Sequence, residues 1–141
     1  MKTKTIILIC LLLTSIAAQA ALPQGKWTVT QVTIEKNTDG DIQTTVYNTA
    51  AEVKSYILCP QKWEIDAQTI VQHYPGGWEE TAGYTIKGNQ LTIMAAGNAQ
   101  LYQYSISGGN LILTATYDYV NNLPTGYTER INEKWTITLK K

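Results

Sequence analysis

GKWTVTQVTIEK (residues 25–36) alternates apolar and polar side chains, but not in a single phase. Trp27 and Val29 fall on one face of an extended strand and Val32 and Ile34 on the other, because successive strand residues point to opposite sides. Both pairs can reach one core only if an extra residue is inserted near Gln31, as a β-bulge or sharp bend does. The same Lys-Trp-Thr pattern returns in EKWTITLKK (residues 133–141), where Trp135, Ile137 and Leu139 alternate with Lys134, Thr136, Thr138 and Lys140. Two matching amphipathic strands at the two ends predict that they pair and seal a barrel, each with its Trp inward near one end. Lys62-Trp63 stands 36 residues after Lys26-Trp27 and 72 before Lys134-Trp135. A fourth copy would fall on Asn98-Ala99, so the spacing is not read as a sequence repeat.

Between these strands, amphipathic runs are separated by turn signals. NTDGD (residues 37–41) supplies Asp-Gly turn chemistry, and residues 42–48 return with Ile42, Thr44 and Val46 in register. TAAEVKSYILC (residues 49–59) places Val53, Tyr56 and Ile57 at helical spacing. A short helix near residues 50–58 follows, with Asn48 or Thr49 as its cap and Pro60 as its stop. QKWEI and TIVQHY are strands joined at Asp66-Ala67, and PGG (residues 75–77) turns the chain. Lys87-Gly88-Asn89 and Gly108-Gly109 turn two further hairpins, and VNNLPTG (residues 120–126) reads as a looser loop. Such a succession, with one apolar face per strand and no long crossover, hides its edges by closing. The expected fold is all-β, an up-and-down antiparallel barrel of about eight strands with one short helix.

Ahead of the first strand, Lys2 and Lys4 precede the apolar run Ile6–Leu13, and Ala18-Gln19-Ala20 offers small residues at cleavage spacing. This predicts a signal peptide over residues 1–20 and a mature start at Ala21, hence export to the periplasm or beyond. The apolar run is short of the roughly 20 residues of a membrane span. Cys10 lies inside that run, with leucines after it, which argues against a lipid-modified cysteine. Without the leader, nine basic residues face eleven acidic ones, because Lys2 and Lys4 leave the original eleven. Nucleic-acid binding needs a clustered basic face, whereas Lys26, Lys36, Lys54, Lys62, Lys87 and Arg130 are scattered. Residues 21–141 have the length of one domain with one core. Cys59 is the one cysteine left after cleavage, so the fold must rest on packing and not on an internal disulfide.

Gly25-Lys26-Trp27 resembles the G-x-W of lipocalins, and the layout of residues 25–141 is similar to small bacterial lipocalin-like domains of exported proteins. The Cys59–Trp63 stretch, GYTIKGNQLTI (residues 83–93), YSISGGNLIL (residues 104–113) and the closing KWTITLKK carry the likeness. The resemblance implies a barrel whose Trp27 plugs the closed end beneath a basic residue near the last strand. Arg130 and Lys134 are the residues available for that role, although neither stands at the matching position. Gly25, Trp27 and Trp135 are accordingly expected to be barrel-closing structural residues. The resemblance also implies a small hydrophobic or amphipathic ligand inside the barrel.

Nine tyrosines, four tryptophans and no phenylalanine give the chain flat apolar surfaces with polar tips. Tyr84, Tyr102, Tyr104, Tyr117 and Tyr119 are the candidate pocket-lining residues. Catalytic signals are weak by comparison. His73 is the sole histidine, which rules out a multi-histidine metal site, and Cys59 with His73 lies in no recognisable nucleophile motif. Glu79 and Glu80, next to Trp78, point to opposite faces if a strand begins there, so they make a poor acid/base pair. NTDGD resembles a calcium loop only superficially: its glycine comes too early, and Asn48 stands where the bidentate glutamate belongs. The expectation is a non-enzyme with no cofactor, no metal and no nucleic-acid partner. Two readings stand: a ligand-holding barrel, or a packed barrel that grips another macromolecule through loops 75–83 and 120–127.

Overall fold

The computed structural model describes residues 22–48, 50–55 and 59–141. The expected leader with Cys10, the start at Ala21, the cap at Thr49, and Tyr56 and Ile57 lie outside the described residues. In chain order the elements are β1 (Gly25–Thr38), β2 (Asp41–Tyr47), α1 (Ala50–Ser55), β3 (Lys62–Ile65), β4 (Thr69–His73), β5 (Glu79–Lys87), β6 (Gln90–Ala95), β7 (Asn98–Ser107), β8 (Asn110–Asn122) and β9 (Thr128–Lys140). From β3 onward each strand pairs antiparallel with the next, and β1 joins β3 on one edge and β9 on the other. Eight strands therefore close into an antiparallel barrel, and β2 is a ninth strand lying beside the far half of β1.

The phase slip in β1 is a bulge. Val29 pairs with Leu139 and Gln31 with Thr138, which leaves Thr30 as the extra residue, its Oγ1 3.3 Å from the Thr138 carbonyl that accepts its proton. Trp27, Val29 and Val32 are all buried as a result, and Ile34 packs against the same core. The bulge is what lets one strand of fourteen residues serve the barrel over its whole length.

The terminal strands pair as expected, but their tryptophans do not hold equivalent positions. Trp135 lies opposite Ile34 on one side and Ala115 on the other, whereas the cross-strand partner of Trp27 is Trp63. Antiparallel alignment sets the start of β1 against the end of β9, so Trp135 falls part-way up the wall. At about 3.3 Å per residue it is roughly 20 Å from Trp27 along the strand.

The closed end is packed. Leu22 is buried there, Trp27 Nε1 donates to the Pro23 carbonyl at 2.9 Å, and Tyr84 donates its hydroxyl to the Asp66 carbonyl at 2.8 Å. Lys141 lies over the Trp27 ring with Nζ 5.3 Å from the centroid. It is Lys141, and neither Arg130 nor Lys134, that occupies this place; Lys134 reaches Glu35 at 3.7 Å and Arg130 lies at the other end of β9. Gly25 has φ +125°, a backbone conformation that side-chain-bearing residues rarely adopt, and the Lys141 side chain lies over it, with Cε 3.4 Å from where a Cβ would stand.

β2 departs from expectation in its facing. Val32 and Ile34 point inward opposite Tyr47 and Thr45, so Ile42 and Val46 point outward and are 66% and 43% exposed. The looser loop is also shorter than expected. Val120, Asn121 and Asn122 pair with Arg130, Glu129 and Thr128, leaving 123–127 as the turn, which Leu123 N closes on the Tyr127 carbonyl at 2.9 Å. Val120 is the one apolar residue in these rungs, so no apolar alternation announces them. Likewise Glu79–Gly83 belongs to β5 and is not loop. The helix forms over Ala50–Ser55, with Val53 buried in the core and Glu52 Oε2 accepting the Asn48 N–H at 2.7 Å. β3 and β4 have four and five residues against thirteen each in β8 and β9. The barrel mouth therefore has one tall wall, formed by β8, β9, the far half of β1 and β2.

Candidate functional site: an aromatic cavity at the barrel mouth

Inward-facing rows that are apolar near the base turn aromatic and polar as they approach the mouth. On β7 the row is Tyr104, Tyr102, Gln100; on β8 it passes from Leu113 and Ala115 to Tyr117 and Tyr119; on β9 from Leu139 and Ile137 to Trp135 and Glu133. These rows, with Tyr74 after β4 and the Cys59-Pro60 segment before β3, enclose a cavity of about 460 Å3. Behind the lining, the fully buried Trp63 backs Tyr102, whose ring packs edge-on against it at 6.0 Å and 74°. The Trp63 indole N–H makes no hydrogen bond among the described residues.

Hydrogen bonds fix the ring positions. Glu133 accepts the Tyr119 hydroxyl at 2.7 Å on Oε1 and the Trp135 indole N–H at 3.0 Å on Oε2. Tyr117 meets Trp135 edge-on at 6.0 Å, while the Tyr102 hydroxyl donates to Gln100 Oε1 at 3.4 Å. At the rim the Tyr74 hydroxyl donates to Oε1 of the buried Gln72 at 3.3 Å, and the Tyr74 ring stacks on Trp78 with centroids 3.8 Å apart. Burial raises the Tyr102 phenol, and it raises Tyr117 with help from the Glu133 charge. Burial, then the neighbouring Glu80, pushes Tyr74 up to about 12. All three phenols therefore stay neutral near pH 7 and remain donors.

Of the tyrosines expected to line a pocket, Tyr102, Tyr117 and Tyr119 do so together. Tyr84 and Tyr104 face inward but sit nearer the base, Tyr84 on Asp66 and Tyr104 against the core opposite Leu113. Trp135 belongs to the cavity, whereas Gly25 and Trp27 belong to the closed end. Tyr74, Gln100, Glu133, Cys59 and Pro60 complete the lining, and sequence reading by residue type did not select them. Their strand phase was available: Glu133 shares the parity of Trp135 and Ile137, and Gln100 that of Tyr102.

The possible catalytic pairings come apart in space. Cys59 is buried toward the cavity and burial pushes its thiol up to about 12, which disfavours the thiolate a nucleophile needs. His73 has the opposite strand phase to the buried Gln72 and so turns outward, its Nδ1 2.8 Å from Glu79 Oε1 and its Nε2 3.3 Å from Glu64 Oε1. Glu79 thus serves the outer surface, while Glu80 lies on the inward row opposite Gln72 and its charge acts on Tyr74 at the mouth. NTDGD is a hairpin turn, with Asp39 at φ 50° and Gly40 at φ 97°, and Asn37 Oδ1 accepting the Gly40 N–H at 2.8 Å. Among the described residues no group of three or more His, Cys, Asp or Glu is arranged to hold a metal, and no helix is long and apolar enough to cross a membrane. A second hollow of about 440 Å3 lies on the tall wall, where the outward-facing row Asn37, Asn132, Asp118 meets Arg130. Asn132 donates to Asp118 Oδ1 at 2.6 Å there.

No protein family, curated protein or solved structure matches this chain. The cavity must therefore be interpreted from its own chemistry.

Proposed function

We propose that the protein is an exported, lipocalin-like binding module that holds a small hydrophobic or amphipathic molecule in its barrel and performs no catalysis. The single observation carrying this reading is the mouth cavity: its volume of about 460 Å3 falls in the range of small-molecule sites, and aromatic faces with a few oriented polar tips line it. The Gly25-Lys26-Trp27 motif supports the lipocalin likeness, with Trp27 at the closed end beneath Lys141. Export is supported by the leader pattern of residues 1–20, and cleavage there would keep Leu22, which plugs the base. Separation of Cys59 from His73, and of Glu79 from Glu80, supports a binding role over a catalytic one. The packed-barrel alternative loses ground because its filled interior extends only through the lower half, and because much of its gripping loops is strand.

A fluorescent apolar probe tests the reading. N-phenyl-1-naphthylamine should bind the native protein with a micromolar dissociation constant and a blue-shifted emission. Gln100→Trp, which fills the cavity from β7, should weaken binding by about tenfold or more. A native protein that binds no probe, or a variant that binds it unchanged, would overturn the reading.

A further inference from the structure

We infer that the mouth cavity selects amphiphiles with a cationic ammonium head over anionic or neutral ones of the same tail, an inference that rests on the binding-module reading above. Three observations point the same way. First, the rings of Tyr74, Tyr102, Tyr117, Tyr119 and Trp135 line one cavity, and aromatic faces attract cations through their quadrupole. Second, carboxylates border it on opposite sides, Glu133 in the lining and Glu80 beside Tyr74 at the rim, while no lysine, arginine or histidine occurs among the described lining residues. Third, Glu133 is fixed by neutral donors, the Tyr119 hydroxyl and the Trp135 indole N–H, so its charge is held next to those rings.

The surrounding basic residues leave this field in place. Lys134 points outward to Glu35, Lys26 to Glu64, and Arg130 lies at the outer hollow. Lys36 is the inner-facing cation of β1 and stands opposite Glu133 in the strand register, but the two make no ion pair in the structure. It is the group whose charge opposes the selectivity. The deep side, formed by Ile137, Cys59 and Tyr102, suits an alkyl or aryl tail, so the ammonium is left among the rim rings and carboxylates.

Calorimetric titration of the intact domain with n-octyltrimethylammonium, n-octyl sulfate and n-octanol, each well below micelle formation, tests the inference. The ammonium probe should bind about tenfold tighter than the alcohol, and the sulfate weakest of the three. Glu133→Gln should bring the ammonium affinity down towards that of the alcohol, and Tyr117→Leu should do so in part should the first variant fail to fold. Lys36→Met should strengthen ammonium binding by a few-fold. Equal affinity for the three probes overturns the charge selectivity and leaves the binding-module reading standing. Binding of none of them overturns both.

Discussion

The Lys141 ammonium rests over the Trp27 ring, 5.3 Å from its centroid, and caps the closed end of the barrel. An exposed cation over an indole is worth about 0.5–1 kcal/mol. Lys141→Ala should lower unfolding stability by that amount and perturb Trp27 emission, whereas Lys141→Arg should preserve both. Chemical denaturation followed by fluorescence measures it, and an unchanged midpoint in Lys141→Ala would show the contact to be idle.

The β6–β7 hairpin turns on Ala96 and Gly97, whose φ values are 49° and 80°. Alanine in the left-handed region strains its Cβ against the following carbonyl, and Asn-Gly is the favoured pair for this turn. Ala96→Asn should therefore raise stability by about 0.5–1 kcal/mol with an unchanged denaturant slope. A loss of stability would mean that the turn is not of this type in solution.

Asp66 accepts the backbone N–H groups of Gln68 at 2.7 Å and Thr69 at 2.6 Å, and the Thr69 hydroxyl at 2.7 Å. These bonds, the Gln68 one foremost, hold its folded pKa below the ordinary 3.8. The sign follows from linkage: a depressed carboxyl contributes stability that is present above its unfolded pKa and disappears as pH falls through the folded value. Asp66→Asn should melt below wild type at neutral pH, and the gap should narrow below about pH 4. A gap that is constant across this window would exclude the ionised turn.

Cys59 is buried with a thiol raised to about 12, so native protein near neutral pH should resist Ellman's reagent. Labelling in denaturant should be faster by about 100-fold or more. Fast native labelling would place the thiol in open solvent.

The parts of the fold that alternate sharply were legible in the residues. Trp27, Val29, Val32 and Ile34 encode the bulge directly, because no regular strand buries all four. The seam between β1 and β9 was legible from the matching alternation of the two strands, although the non-equivalent placing of Trp27 and Trp135 was not. The outward facing of Ile42 and Val46 was not, since alternation names a face without saying which side is the core. The rungs of Val120–Asn122 with Thr128–Arg130 hold a single apolar residue, Val120, and so carried no alternation. At the site, Tyr102, Tyr117 and Tyr119 were found from residue type, while height along the barrel separated them from Tyr84 and Tyr104. That height depends on register with neighbouring strands, which no local pattern contains. Glu133 shares the parity of Trp135 and so turns inward, but residue type alone does not mark a carboxylate as part of an aromatic lining.

The seam also bears on biosynthesis. Thr28 pairs with Lys140, so the wall cannot close until all the strands between these two residues have left the ribosome. Until then the nascent chain presents two sticky borders, those of β1 and β8, to whatever surrounds it. Contacts this distant in sequence slow folding toward milliseconds or longer, which gives holdase chaperones time to engage the open chain.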